Sequence, residues 1–166
     1  MNTSGYSFQL ATAGVLVVGD QITKLLVRRS LELYDSAVVI PNLVSITRIH
    51  NTGAAFGLLD GADLPFKTVL LVLVSTAALV GLLMFAASLP EAHRVARIGV
   101  ALVVGGAAGN LIDRLWLGYV VDFMDVYWRG WHFWAFNVAD SAISIGMALI
   151  ILDQLGVGRR RVPGTV

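Results

Sequence analysis

The sequence predicts an all-α integral membrane protein of four transmembrane helices, up-down, with a small extracytoplasmic sheet and a short interfacial helix. Three observations predict it. The 166 residues are 57% apolar and 14% charged, where a soluble domain carries roughly 25% charged residues. Four apolar runs are each about 18–24 residues long, enough to cross about 30 Å of hydrocarbon. The charged and amide side chains in these runs, Asp20, Asn110, Asp113, Arg114, Asn137 and Asp140, gather toward one side of the membrane. Burying an ionisable group there costs several kcal/mol, which makes it a functional-site hypothesis by default.

Span one runs from about Phe8 to Leu26, span two from about Phe66 to Leu89, span three from Val95 to Leu115 and span four from Val138 to Leu155. They form one membrane-embedded domain over residues 1–166, with long connecting segments at about 27–65 and 116–137. No Lys or Arg precedes the first run and no small-x-small site follows it, so it is expected to be a retained anchor. Pro90 closes span two, because proline stops a helix beyond its first turn. A very short basic link with His93, Arg94 and Arg97 then leads into span three. Up-down packing puts both long segments on one side, and the short link, the N-terminus and the Arg159–Arg160–Arg161 tail on the other. Positive residues near span ends mark the cytoplasmic side. Their density in the short link and tail favours cytoplasmic termini, although the raw count, with Lys24, Arg28 and Arg29 opposite, does not decide it.

The first long segment holds two β-prone runs, Ala37–Ile40 and Leu43–Thr47, split by the turn signal Pro41-Asn42. Asn51 to Gly57 follows and is expected to start a short helix. In the second segment Trp128, Trp131, Phe133, Trp134 and Phe136 stand just before span four, where aromatics mark a membrane interface. Gly105 and Gly109 on span three, and Ala142 and Gly146 on span four, are spaced for close helix contact. Span two offers only Thr68, Ser75 and Thr76 and reads as scaffold.

Composition narrows the chemistry. There is no cysteine, so disulfides, thiolate metal sites and cysteine nucleophiles are excluded. The three histidines are scattered without ligand spacing, so no metal or other cofactor is expected. A net charge of +1 suggests no nucleic-acid partner. What remains is a set of carboxylates. Asp20 lies about 18 Å of helix beyond Phe8, and Asn110 and Asp113 about 22 and 27 Å beyond Val95. Spans one and three run in the same direction, so these residues approach the outer face. Span four returns with Asp140 in its first turn, and Asp122 lies in the segment above.

Two neighbouring carboxylates cannot both ionise cheaply, so such a pair holds one proton and can act as acid and base at once. Plainer roles are open for each residue alone. Asp122 and Asp125 would ordinarily be solvated, Asp140 would oppose the helix dipole, Asp113 and Arg114 would pair, and Asn137 would cap a helix.

Taken together, five blocks resemble the lipoprotein signal peptidase (signal peptidase II) family. They are Asp20-Gln21-Ile22-Thr23-Lys24, Asn51-Thr52-Gly53-Ala54-Ala55-Phe56-Gly57, Gly106-Ala107-Ala108-Gly109-Asn110-Leu111-Ile112-Asp113-Arg114, Val120-Val121-Asp122-Phe123 and Phe136-Asn137-Val138-Ala139-Asp140-Ser141. The resemblance covers essentially the whole chain. It implies an aspartic endopeptidase of the bacterial cytoplasmic membrane, with its site near the extracytoplasmic face and a β-cradle outside the membrane. Its substrates would be prolipoproteins, cut N-terminal to a diacylglyceryl-modified cysteine. Asp122 and Asp140 would be the catalytic pair. Asn51, Asn110, Arg114 and Asn137 would position substrate backbone or support the pair, Asp113 would brace Arg114 and the span end, and Asp20 and Lys24 would lend structural support. Gly53 would leave space and Phe56 would form an apolar wall. The expected partners are prolipoproteins and membrane lipids, and the expected state is a monomer.

Rival readings leave traces of their own. A rhomboid-like serine protease needs a Gly-x-Ser-Gly turn, and the nearest match, Gly5-Tyr6-Ser7-Phe8, lies outside the spans. A presenilin-like Gly-x-Gly-Asp block is absent. A Ser–Lys dyad through Lys24 stays open on composition. A small proton- or ion-coupled transporter would use Asp20, Asp113, Arg114 and Asp140 as a path, yet the inner halves of the spans hold almost no ionisable group before Asp153.

Overall fold

A computed structural model describes residues 3–53 and 66–156. The expectations for Ala54, Ala55, Phe56 and Gly57, for a short helix there, and for the Arg159–Arg161 tail lie outside the described residues.

In chain order the elements are α1 (Thr3–Ser30), β1 (Ser36–Ile40), β2 (Val44–Asn51), α2 (Lys67–Ser88), α3 (Arg94–Leu117), β3 (Val120–Trp128), β4 (Trp131–His132) and α4 (Val138–Gln154). Among the described residues α1, α2 and α3 are each long and apolar enough to cross a membrane. The fourth helix, α4, has 17 residues, about 26 Å of helix.

The centre of the helical layer is α3. Side chains from Gln9 to Lys24 of α1 meet Arg97 to Asp113 of α3 in rising order, so these two helices are parallel. Gly99 meets Gly146 and Gly106 meets Ala139, so α4 runs antiparallel to α3. Leu89 after α2 packs on Ala96 and Val100 of α3, and α2 itself buries no residue.

Glycine spacing sets how close the helices come. A Cβ on Gly146 would lie 2.5 Å from the Gly99 carbonyl oxygen, and one on Gly99 would lie 2.6 Å from that of Gly146. The pair Gly105 and Gly109 faces α1, where a Cβ on Gly105 would lie 3.0 Å from the Ala13 carbonyl. Span three therefore carries two small-residue faces, Gly99 and Gly106 toward α4, and Gly105 and Gly109 toward α1.

The four strands form one antiparallel sheet in the order β1-β2-β3-β4. The Pro41-Asn42 signal does make the β1–β2 turn, with Asn42 at φ 62°. The second long segment departs from its reading as a loop. Val120–Trp128 is a nine-residue strand in the middle of the sheet. Its acids at positions 122 and 125 fall on opposite faces of a strand, which breaks the apolar–polar alternation that identifies strands in sequence. The β3–β4 turn places Arg129 at φ 51° and Gly130 at φ 81°, as a tight two-residue hairpin requires. The chain then returns along β3, with Phe136 bridged to Met124, and this return sets Asn137 and the start of α4 beside Asp122.

Gly146→Ala should therefore destabilise the protein by about 1–3 kcal/mol, because the new methyl meets backbone that cannot step aside. Gly81→Ala in α2, where a Cβ meets nothing within 4 Å, should be neutral or slightly stabilising. Thermal unfolding of both variants in detergent checks this, and equal midpoints would contradict the packing.

Candidate active site

At the centre of the buried polar groups is the ammonium of Lys24, 2% exposed. It donates to Asp20 Oδ2 at 2.8 Å, Asp113 Oδ2 at 3.0 Å and Asn110 Oδ1 at 2.8 Å. An ammonium has three N–H donors, and each has an acceptor here. No N–H is left for a serine, which removes the Ser–Lys reading.

Each partner of Lys24 reaches a different element. Asp20 Oδ1 accepts from the backbone N–H of Ala139 at 2.9 Å, so a side chain of α1 satisfies a free amide in the first turn of α4. Asp113 Oδ2 accepts from the N–H of Val121 at 3.0 Å and so fixes the start of β3. Asn110 donates to Asp140 Oδ1 at 2.8 Å. Gln21 ties the group further, donating to Asp113 Oδ1 at 3.0 Å and to the Gly109 carbonyl at 3.1 Å. Gly109 has no side chain for a steric reason: a Cβ there would lie 2.7 Å from Asp20 Oδ2.

Asn137 joins the two acids. It is the N-cap of α4, with its side-chain oxygen accepting from the Asp140 N–H at 2.9 Å. Asp140 Oδ2 accepts in return from the Asn137 N–H at 3.2 Å, a capping box. The Asn137 amide also donates to Asp122 Oδ1 at 2.7 Å. Asn51, at the end of β2 and diagonal to Asp122 in the β2–β3 register, donates to Asp122 Oδ2 at 2.9 Å. The Asn51 oxygen accepts from Gly53 N–H at 2.9 Å, and Arg114 donates to the Gly53 carbonyl at 2.9 Å.

Asp122 is 2% exposed. Burial and then the nearby charge of Asp140 push its carboxyl up to about 7, against the hydrogen bonds from Asn51 and Asn137 and the charge of Lys24. Near neutral pH this acid therefore retains a proton that a solvated carboxyl would have lost. A buried pair in which one member keeps a proton can give and take protons together.

Every candidate residue within the described part thus belongs to one connected network: Asp20, Lys24, Asn51, Gly53, Asn110, Asp113, Arg114, Asp122, Asn137 and Asp140. Three expectations are corrected. Asp122 is a buried strand residue and not a solvated loop acid. Asp125 is also held, by Ser45 at 3.1 Å and His132 at 3.0 Å, on the opposite face of β3. Asp113 makes no hydrogen bond or ion pair to Arg114, since residues adjacent on a helix point about 100° apart, but it does brace the span end: it turns to Lys24, Gln21 and Val121, and Arg114 to Gly53. Gln21 stood inside the quoted blocks without a role, and only its contacts with α3 reveal one; Gly109, read as a helix-packing residue, also makes room for the Asp20 carboxylate.

Long apolar helices with a buried and a partly buried carboxylate, both hydrogen-bonded, at one end define a class of membrane enzyme. A profile of the family described as Signal peptidase (SPase) II matches residues 12–156. The lipoprotein signal peptidase of Geobacter metallireducens is 46% identical over 154 residues, covering 93% of each chain. That of Syntrophotalea carbinolica is 39% identical over 160 residues, 96% of this chain and 98% of its own. A bacterial membrane enzyme solved by the in meso method at 2.3 Å resolution superposes with a TM-score of 0.80 at 32% identity, over 96% of this chain and 94% of that one. The chain belongs to the signal peptidase II family and is a peptidase, which sets the transporter reading aside.

Lys24→Met should leave two carboxylates buried without their cation, a loss of about 3–5 kcal/mol. The variant is expected to accumulate poorly in membranes and to unfold at a lower temperature. Wild-type abundance and melting would show that the ammonium does not hold the site together.

Proposed function

We propose that Asp122 and Asp140 are the catalytic pair with which this chain, a signal peptidase II, removes signal peptides from prolipoproteins. The reading makes it an aspartic endopeptidase. The observation that carries it is the pair itself, a buried Asp122 and a partly buried Asp140 joined through Asn137; burial and the charge of Asp140 push the Asp122 carboxyl up to about 7.

The pair shares one proton. The protonated carboxyl polarises the scissile carbonyl, while the ionised one takes a proton from the attacking water. The proton gathered from water then passes to the leaving amine as the C–N bond breaks, and the pair returns to its starting state. Asn110, Asn137 and Asn51 keep the carboxyl groups aimed. Arg114 holds the Gly53 segment against the site and faces the substrate backbone. The bond cut lies N-terminal to a cysteine carrying diacylglycerol, whose lipid tails enter from the bilayer.

The same reading makes α4 a fourth membrane span in an up-down bundle of the bacterial cytoplasmic membrane. The network sits at the C-terminal ends of α1 and α3 and the N-terminal end of α4, opposite the basic link at His93, Arg94 and Arg97. The density of positive charge in the link supports cytoplasmic termini and a site near the extracytoplasmic face. The network is complete within one chain, which supports a working monomer. Reporter fusions after Asp60 and Glu91 should report exported and cytoplasmic positions respectively; an exported reporter at Glu91 would reverse the orientation.

Asp122→Asn and Asp140→Asn should each abolish cleavage of a diacylglyceryl-modified prolipoprotein. The double variant should be no worse than either single one, because residues acting as a unit are strongly non-additive. Asp125→Asn, on the far face of β3, should keep most activity, and a chelator should leave the rate unchanged. In the wild type kcat/KM should fall above about pH 7 as the shared proton is lost. Full turnover by either dyad variant would reject the assignment.

A further inference from the structure

A cavity of about 380 Å³ opens between the C-terminal ends of α1 and α3, lined by none of Asn51, Asp122, Asn137 and Asp140. Its size falls within the range of ligand sites, roughly 300–1,000 Å³. It is built from one face of each helix. Gln21, Lys24, Leu25 and Arg28 follow the i, i+3, i+4, i+7 pattern on α1, facing Ile112, Asp113, Trp116 and Leu117 on α3. Below it the helices close at Gly105 and Gly109, where no side chain holds them apart. Above, α3 ends at Gly118, turned by its φ of 83°, while α1 continues to Ser30.

Polarity changes with depth. The floor is buried and polar, with Lys24 and Asp113 already paired to each other. The mouth is exposed and mixed: Leu25 is 42% and Trp116 85% exposed, with Arg28 one turn further out. Both walls belong to helices apolar and long enough to cross a membrane, so the mouth faces lipid. Tryptophan at a helix end sits at headgroup level. The Arg28 guanidinium forms no hydrogen bond or ion pair within the described residues. Its field is felt nearby: His50 is lowered by burial first and then by the charges of Arg48 and Arg28.

We propose that this cavity is a site for one anionic phospholipid, with its phosphate on Arg28 and an acyl chain against Leu25, Trp116 and Leu117. A lipid seated there covers the Lys24–Asp113 pair from water, and excluding water strengthens that ion pair. The cavity is lined by none of the residues that touch the two acids, though its floor joins their network through Lys24 and Asp113, and its proposed occupant is a resident lipid that is not cleaved.

The test uses the full chain in phosphatidylethanolamine nanodiscs carrying a small fraction of lipid with brominated acyl chains. Brominated phosphatidylglycerol should quench tryptophan fluorescence more than brominated phosphatidylethanolamine at the same fraction. Trp116→Phe should remove that difference, which separates the site from Trp128, Trp131 and Trp134. Arg28→Gln should weaken the phosphatidylglycerol preference about fivefold, the weight of one basic residue at a membrane surface, while Arg29→Gln should change it far less. Leu25→Phe, which narrows the cavity without adding a tryptophan, should reduce Trp116 quenching by both lipids. Equal quenching by the two lipids in the wild type, or an unchanged preference in Arg28→Gln, would overturn the proposal. Competition by millimolar inorganic phosphate would assign the cavity to a soluble anion and overturn it equally. Cleavage of prolipoprotein by the same variants reports on the catalytic pair separately.

Discussion

The ammonium of Lys24 is the point from which the structure is organised. A lone buried charge costs several kcal/mol, and only a full set of partners with good geometry offsets it. Here the partners are Asp20, Asp113 and Asn110, one on α1 and two on α3. Meeting that one requirement sets the rotation and height of α1 against α3. The partners then spend their remaining atoms on α4 through Ala139, on β3 through Val121 and on Asp140. A single cation and its partners therefore tie together four elements, α1, α3, α4 and β3.

Asn137 serves local structure and site geometry together. Any helix beginning in a poorly hydrated place must satisfy its first amides. In α4 Asn137 and Asp140 do so reciprocally, and Asp20 satisfies one more from another helix. The same contacts orient the Asp140 carboxyl and bring the Asn137 amide to Asp122. Asking whether Asn137 is a cap or a site residue thus opposes two descriptions of one set of bonds. Asp140, likewise, faces a helix N-terminus and belongs to the pair.

Much of this was legible in the sequence, because its physics is one-dimensional. Long apolar runs announce helices, and Ala37–Thr47 announces a hairpin through β-branched residues around Pro41-Asn42. The helical members of the network were legible as polar groups in apolar runs, whereas Asn51 and Asp122, outside those runs, were singled out only by the family blocks. What escaped depends on contacts far apart in sequence. Asp122 and Asp125, three apart, look alike along the chain, yet strand geometry sends one to the helices and the other to His132. Asp113 and Arg114 look like an ion pair, but helix geometry turns them apart. The glycines read as one packing motif, while two faces are in use, and Gly109 is small to make room for a carboxylate. Gln21 had no period or motif to mark it, only neighbours on α3.

The pair also works against the fold that holds it. The Asp122 carboxyl rises from 3.8 in the open chain to about 7 when folded, because burial and Asp140 disfavour its charge. The folded state then binds a proton that the unfolded chain has released, so stability falls as pH rises from about 4 through about 7. The hydrogen bonds from Asn51 and Asn137 act in the opposite sense, and they keep the cost below what burial alone would impose. A polar but uncharged pair of amides suits this position. Cationic donors would pull the proton off Asp122 altogether, and apolar neighbours would hold it too firmly to share. Lys24, one residue removed behind Asn110, supplies positive field to both acids without touching either. The distance between the cation and the dyad is therefore as much a part of the site as the acids themselves.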